Sequence, residues 1–142
     1  MKIHSKAGKE SLPKWAKAYL REWAKRLTLH EWRITAYLHP GEPGEPMGYA
    51  SINRNMQRAD ITIRQDVPQK PDTADLEEWK LTIIHELLHV RFANMAYCVV
   101  TDILGQFGGQ SYQLAYADFD TRLEQLIERM ANILYELENG RK

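Results

Sequence analysis

One cysteine in the whole chain leaves no partner for an internal disulfide, so the fold must hold together without covalent staples. Cys98 lies among Tyr97, Val99 and Val100 and is expected to pack as a small buried hydrophobe, not to act as a nucleophile. Charge of one sign is missing too, since 19 Lys and Arg balance 19 Asp and Glu. With no global field to attract nucleic acid or an anionic membrane, neither is an expected partner, and polyanions are poor substrates. No apolar run reads as long enough to cross a bilayer. The polar, basic stretch from Met1 to Glu10 lacks the apolar block of an export signal, which makes cytoplasmic residence the expectation. Repeats are absent as well: Gly-Glu-Pro occurs twice between Gly41 and Pro46 and reads as a turn-rich loop.

What remains is room for one compact domain over residues 1–142, with a genuine core and residues 1–10 as a flexible tail. Ser11 offers an N-cap, and Leu12, Trp15, Ala16, Tyr19, Trp23 and Leu27 recur at helical spacing, predicting an amphipathic helix that ends near Thr28. Trp32 to Leu38 is rich in β-branched and aromatic residues and reads as a strand stopped by His39-Pro40. Met47 to Asn53 and Ala59 to Arg64 are two more strand patterns around a short polar turn, hence a β-hairpin. The second of these is expected at an exposed sheet edge able to pair with an extended peptide, or else inside the sheet. Asp72, Thr73 or Asp75 then caps a long helix whose stripe is Leu76, Trp79, Ile83, Leu87 and Val90, widened by Ile84, Leu88 and Met95. Cys98 to Asp118 reads as a mostly irregular loop, and Phe119 to Glu138 as a C-terminal packing helix stopped by Gly140.

The chemistry lies in the long helix, where residues 85–89 read His-Glu-Leu-Leu-His. A spacing of four puts both imidazoles on one face, where they can reach a single tetrahedral metal. Glu86, one residue round the helix, can then meet a water at the open fourth position and take its proton. This is a zinc-hydrolase signature. Two histidines and an acid buried without a metal would cost several kcal/mol in desolvation, which a cation relieves. Zn2+ is therefore the expected cofactor, with His85 and His89 as ligands and Glu86 as general base.

A catalytic zinc takes a third protein ligand. No histidine follows His89, and His4, His30 and His39 fall in a tail, a turn and a strand end. The downstream acids Asp102, Asp118, Asp120, Glu124 and Glu128 are the candidates. On the C-terminal helix an apolar stripe centred on Leu123, Met130 and Leu134 leaves Glu124 on its flank and Glu128 turned toward solvent, so Glu124 is the better ligand. Surface ion pairs with Arg122 or Arg129 are the plainer alternative for both acids.

His85-Glu86-Leu87-Leu88-His89 followed by Glu124 on a later helix resembles the gluzincin clan of metallopeptidases, and distantly its small phage and prophage members of the immunity-repressor (ImmA/IrrE) type. In that type Ala-Asn, Phe-Ala and Leu follow the ligand glutamate at set intervals; here Ile127-Glu128, Met130-Ala131 and Leu134 stand at those places. The metzincin pattern is excluded, because Phe92 and Met95 occupy its Gly and His positions. The resemblance implies a minimal zincin-like α+β domain comprising an N-terminal helix, a small three-stranded antiparallel or mixed sheet, the motif helix and a ligand-bearing C-terminal helix. It also implies a Glu124 ligand, with Glu128 as an acidic partner orienting a zinc histidine or as an alternative ligand. Peptide-bond hydrolysis on a peptide or protein substrate is the expected activity. A catalytically silent zinc-bearing regulatory protein of phage origin and a zinc hydrolase of non-peptide substrates are the alternatives. Tyr112, Tyr116 and Arg91 are candidate donors to an oxyanion.

Overall fold

The computed structural model describes residues 2–4 and 11–140, the side chains of 2–4 excepted. Strand β1 (Lys2–His4) is followed by helix α1 (Lys14–Arg26), strands β2 (Arg33–His39), β3 (Gly48–Asn53) and β4 (Arg58–Arg64), and helices α2 (Leu76–Cys98) and α3 (Gly109–Glu138). The class is α+β. The strands form one mixed sheet in the order β1-β2-β4-β3, with β1 and β4 parallel to β2 and β3 antiparallel to β4. The three expected strands are present and β1 adds a fourth. Residues 2–4, expected within a flexible tail, thus pair with Arg33, Ile34 and Thr35; the rest of that expected tail lies outside the described residues.

Alternation sets the sheet's two faces. Ile34, Ala36 and Leu38 of β2 and Ala59, Ile61 and Ile63 of β4 are buried under the helices, while Arg33, Thr35 and Asp60 point the other way. The order of strands decides between the two readings of residues 59–64 in favour of the internal one. Residues 59–64 are enclosed between β2 and β3, and the edge beside the motif helix is β3. A strand buried on one face and flanked on both sides scores the same alternation as an edge strand, so periodicity alone does not separate the two.

Helix α1 begins later than Ser11 suggests. Pro13 holds the N-cap position with no side-chain cap, since a proline keeps the preceding residue out of the helical region. The helix buries Ala16, Leu20, Trp23 and Ala24. Its polar rim grips the end of α3: Glu138 accepts hydrogen bonds from Tyr19 Oη (2.6 Å) and Trp23 Nε1 (3.1 Å). Helix α2 starts after Asp75, whose carboxylate accepts from Trp79 Nε1 at 3.1 Å and leaves the backbone uncapped. It buries Trp79, Ile83, Ile84, Leu87, Leu88 and Val90, whereas Met95 is exposed.

Past Cys98 the structure departs most from the sequence reading. In place of an irregular loop there is a π-helical turn (Val99–Ile103), a 3-10 turn (Leu104–Gln106) and then α3, which starts at Gly109. Almost every residue of this added stretch is at least partly exposed, so it carries no core-facing period for a pattern search to find. Cys98 is exposed, not buried. On α3 the buried residues are Ile127, Ala131 and Tyr135, a face rotated from the expected Leu123-Met130-Leu134 line. The stretch Leu76–Gln106 is also long and apolar enough to cross a membrane by length and composition, contrary to the sequence reading. Its apolar face between Trp79 and Val90 forms the core beneath the sheet.

Candidate metal centre

The α2 and α3 helices pack against each other, and that contact assembles the site. His85 and His89 project from one face of α2 with ring centroids 5.1 Å apart. From α3 the Glu124 carboxylate reaches both: Oε2 lies 3.1 Å from His85 Nε2 and Oε1 lies 2.7 Å from His89 Nε2. One ligand atom from each of the three residues falls within 4.8 Å of the other two. Donors around a tetrahedral zinc at ~2.0 Å stand roughly 3.3 Å apart, so a small opening of the cluster accommodates a cation. The group His85, His89 and Glu124 is suited to hold a metal ion, and the chemistry of two neutral imidazoles plus one carboxylate suits zinc among other divalent metals.

Glu128 is the second acid that α3 brings to the cluster. Its side chain is 67 % exposed, as the helical stripe suggests, yet Oε2 stands 3.2 Å from His85 Nδ1. It occupies the ring nitrogen opposite the one facing Glu124. A carboxylate at that distance can accept from Nδ1–H, an arrangement that leaves Nε2 for a metal.

Glu86 does not join the cluster. It is 7 % exposed, and burial, reinforced by the Glu124 charge, pushes its carboxyl up to about 7. Burial also depresses the His89 imidazole, which favours the neutral, ligating form. Glu86 faces the start of β3 across a tight contact. A Cβ at Gly48 would lie 2.8 Å from Thr82 Cγ2 and 3.3 Å from Glu86 Cγ, so only glycine lets the edge strand approach α2 this closely.

Two clefts flank the cluster. One, of about 340 Å³, is lined by Met47, Gly48, Thr82, His85, Glu86 and Glu128. The other, of about 310 Å³, is lined by Ile52, His89, Phe92, Leu123 and Glu124. One contains the start of β3 and the other its end, so the two clefts lie along that strand on either side of the metal-binding group. A third hollow, about 920 Å³ beside Arg33, Arg54 and Arg58 at the β3–β4 turn, holds no member of the cluster.

The remaining candidates fall elsewhere. His30 is exposed, and His39 stacks on Tyr49 with centroids 5.3 Å apart. His4 is a β1 residue whose side chain is outside the described set. Asp102 pairs with Thr101 and Asp118 with Arg122. Asp120 lines the second cleft without joining the metal-binding group. Tyr112 and Tyr116 stack on each other early in α3, Arg91 is exposed, and none of the three lines either cleft. Gly48 and Thr82 are the site residues that the sequence reading missed; a glycine's close approach to a distant helix leaves no local pattern. No protein-family model, curated protein or solved structure matches the chain.

Proposed function

We propose that the protein is a minimal zinc-dependent peptidase of zincin-like design, in which His85, His89 and Glu124 hold Zn2+ and Glu86 is the general base and then the general acid. The observation that carries this reading is the meeting of both imidazole Nε2 atoms at one Glu124 carboxylate next to a buried, readily protonated Glu86. When bound, the metal supplies Lewis acidity, polarising a carbonyl and making a water acidic, to a pKa of roughly 7.

The chain's own groups do the rest. A carboxyl poised near neutrality both accepts a proton from water and returns it to a departing amine, a double duty that an ordinary acid at 4.5 performs poorly. Glu128 holds the His85 ring by Nδ1, and burial keeps His89 neutral. The free side of β3 offers backbone hydrogen bonds to an extended peptide, with the two clefts receiving side chains on either side of the scissile bond. An intact base beside the cluster favours turnover over a silent binding role, because a purely structural metal site has no use for one.

The test is cleavage of a varied peptide library by zinc-loaded wild type and Glu86→Gln. The proposal expects cleavage by the wild type, and a loss of at least a hundredfold with zinc retained in the variant. A zinc-loaded wild type inert on every peptide overturns it.

A further inference from the structure

We infer that the exposed flank of α3 is a dimer seam, occupied by α3 of a second copy of this chain. Tyr112, Tyr116, Phe119, Leu123, Leu126, Met130, Ile133 and Leu137 follow one another at intervals of four and three without interruption, the alternation that keeps an apolar line facing a supercoiling partner helix.

This line runs beside the face that α3 spends on its own fold, and only Leu123 and Met130 also touch the edge of the core. The buried residues are Ile127, Ala131 and Tyr135, and Glu124 and Glu128 reach to α2. Tyr116, Leu126, Ile133 and Leu137 are 43, 46, 57 and 66 % exposed. Helices α1 and α2 have buried their own apolar faces in the core, so among the described residues no further helix is free to cover the line. A second α3 is the partner whose spacing and length match it.

Area and charge agree with that occupant. The stretch that an antiparallel pairing covers on both copies, Phe119 to Leu137, runs about 27 Å, and a two-helix seam of that length removes on the order of 1,000 Å² in total, at the lower limit for a specific interface. Arg122, Arg129 and Glu136 border the line at seven-residue intervals. An antiparallel two-fold arrangement sets Leu126 against Met130 of the second copy and Phe119 against its Leu137. It also brings Arg122 to Glu136 of the second copy, twice over, with the two Arg129 side chains splayed at the axis. A parallel pairing sets Arg122 and Arg129 against Ile127 and Leu134 of the second copy, where neither finds an acid.

Sedimentation velocity on the full chain across the micromolar range, beside Leu126→Arg/Ile133→Arg, tests the inference. The wild type sediments as a dimer. The double variant sediments as a monomer, with at least a hundredfold weaker association, while its far-ultraviolet spectrum stays helical. Arg122→Glu and Glu136→Arg each weaken association several-fold, and together they restore it. A wild type that is monomeric throughout overturns the inference, whether or not it binds lipid vesicles or another helix. A dimer indifferent to Leu126 and Ile133 does the same, and one indifferent to the charge swap overturns the antiparallel arrangement.

Discussion

Glu86 gives the sharpest test of how the site is built, because its ionisation costs folding stability when no metal is present. Moving a carboxyl from 4.5 to about 7 corresponds to roughly 3 kcal/mol in favour of the protonated form. The native state therefore binds more protons than the unfolded chain between those two values, and stability falls as pH rises through that window, levelling off above about 7. Glu86→Gln is a neutral isostere and lacks this term. Denaturant unfolding in the presence of a chelator, at steps from pH 4 to pH 8, reads it directly. At the acid end the two proteins are of comparable stability; by pH 8 the variant is the more stable by about 3 kcal/mol. His89, whose imidazole is depressed by burial, works in the opposite direction, adding stability as pH rises toward 6.5 from its lowered folded value. It is common to both proteins and drops out of their difference. Saturating Zn2+ places a cation beside the carboxylate and shrinks the gap. Wild type and variant curves that run parallel from pH 4 to pH 8 refute the reasoning.

Further outcomes follow from individual contacts. Glu124→Ala removes the acid that meets both imidazoles and is expected to abolish stoichiometric zinc binding in a chelator competition assay, with the fold retained. Glu128→Gln keeps the shape but loses the charge on His85 Nδ1, so zinc affinity drops about 10- to 100-fold. Gly48→Ala forces a Cβ against Thr82 and Glu86; it costs about 1–3 kcal/mol of stability by overpacking, and peptide cleavage falls as β3 is pushed off α2. Glu138→Leu deprives Tyr19 and Trp23 of their shared acceptor and lowers the unfolding free energy by about 1–3 kcal/mol, with no loss of zinc.

How much of this was legible in the sequence depends on whether the information is local. The two histidines at a spacing of four and the three main strands are local patterns, and the structure places the histidines on one helix face and forms the strands. Choosing Glu124 over the neighbouring acids needed only the phase of one helix relative to its apolar stripe. That phase was read about one residue off, because Leu123 and Met130 belong partly to an exposed line while Ile127, Ala131 and Tyr135 face inward. Glu124 survived the error because it flanks both lines. Strand order was beyond reach, since β4 has the same alternation inside the sheet as it would at an edge. The first ten residues of α3 were missed because none of them is buried in the core and only Tyr112 and Tyr116 of the apolar line fall among them, too few to mark a helix behind Gly108-Gly109. Gly48 carries its information in a partner strand and helix dozens of residues apart, and nothing adjacent to it announces that approach.

The account rests on a metal held jointly by two helices. X-ray absorption at the zinc edge, on protein loaded with one equivalent of Zn2+, tests this most directly. Two imidazole nitrogens and oxygen ligands at about 2.0–2.1 Å, with the imidazole signal lost in His85→Ala/His89→Ala and the ion released in Glu124→Ala, is the expected result. A spectrum dominated by sulfur, or one unchanged by all three substitutions, contradicts it.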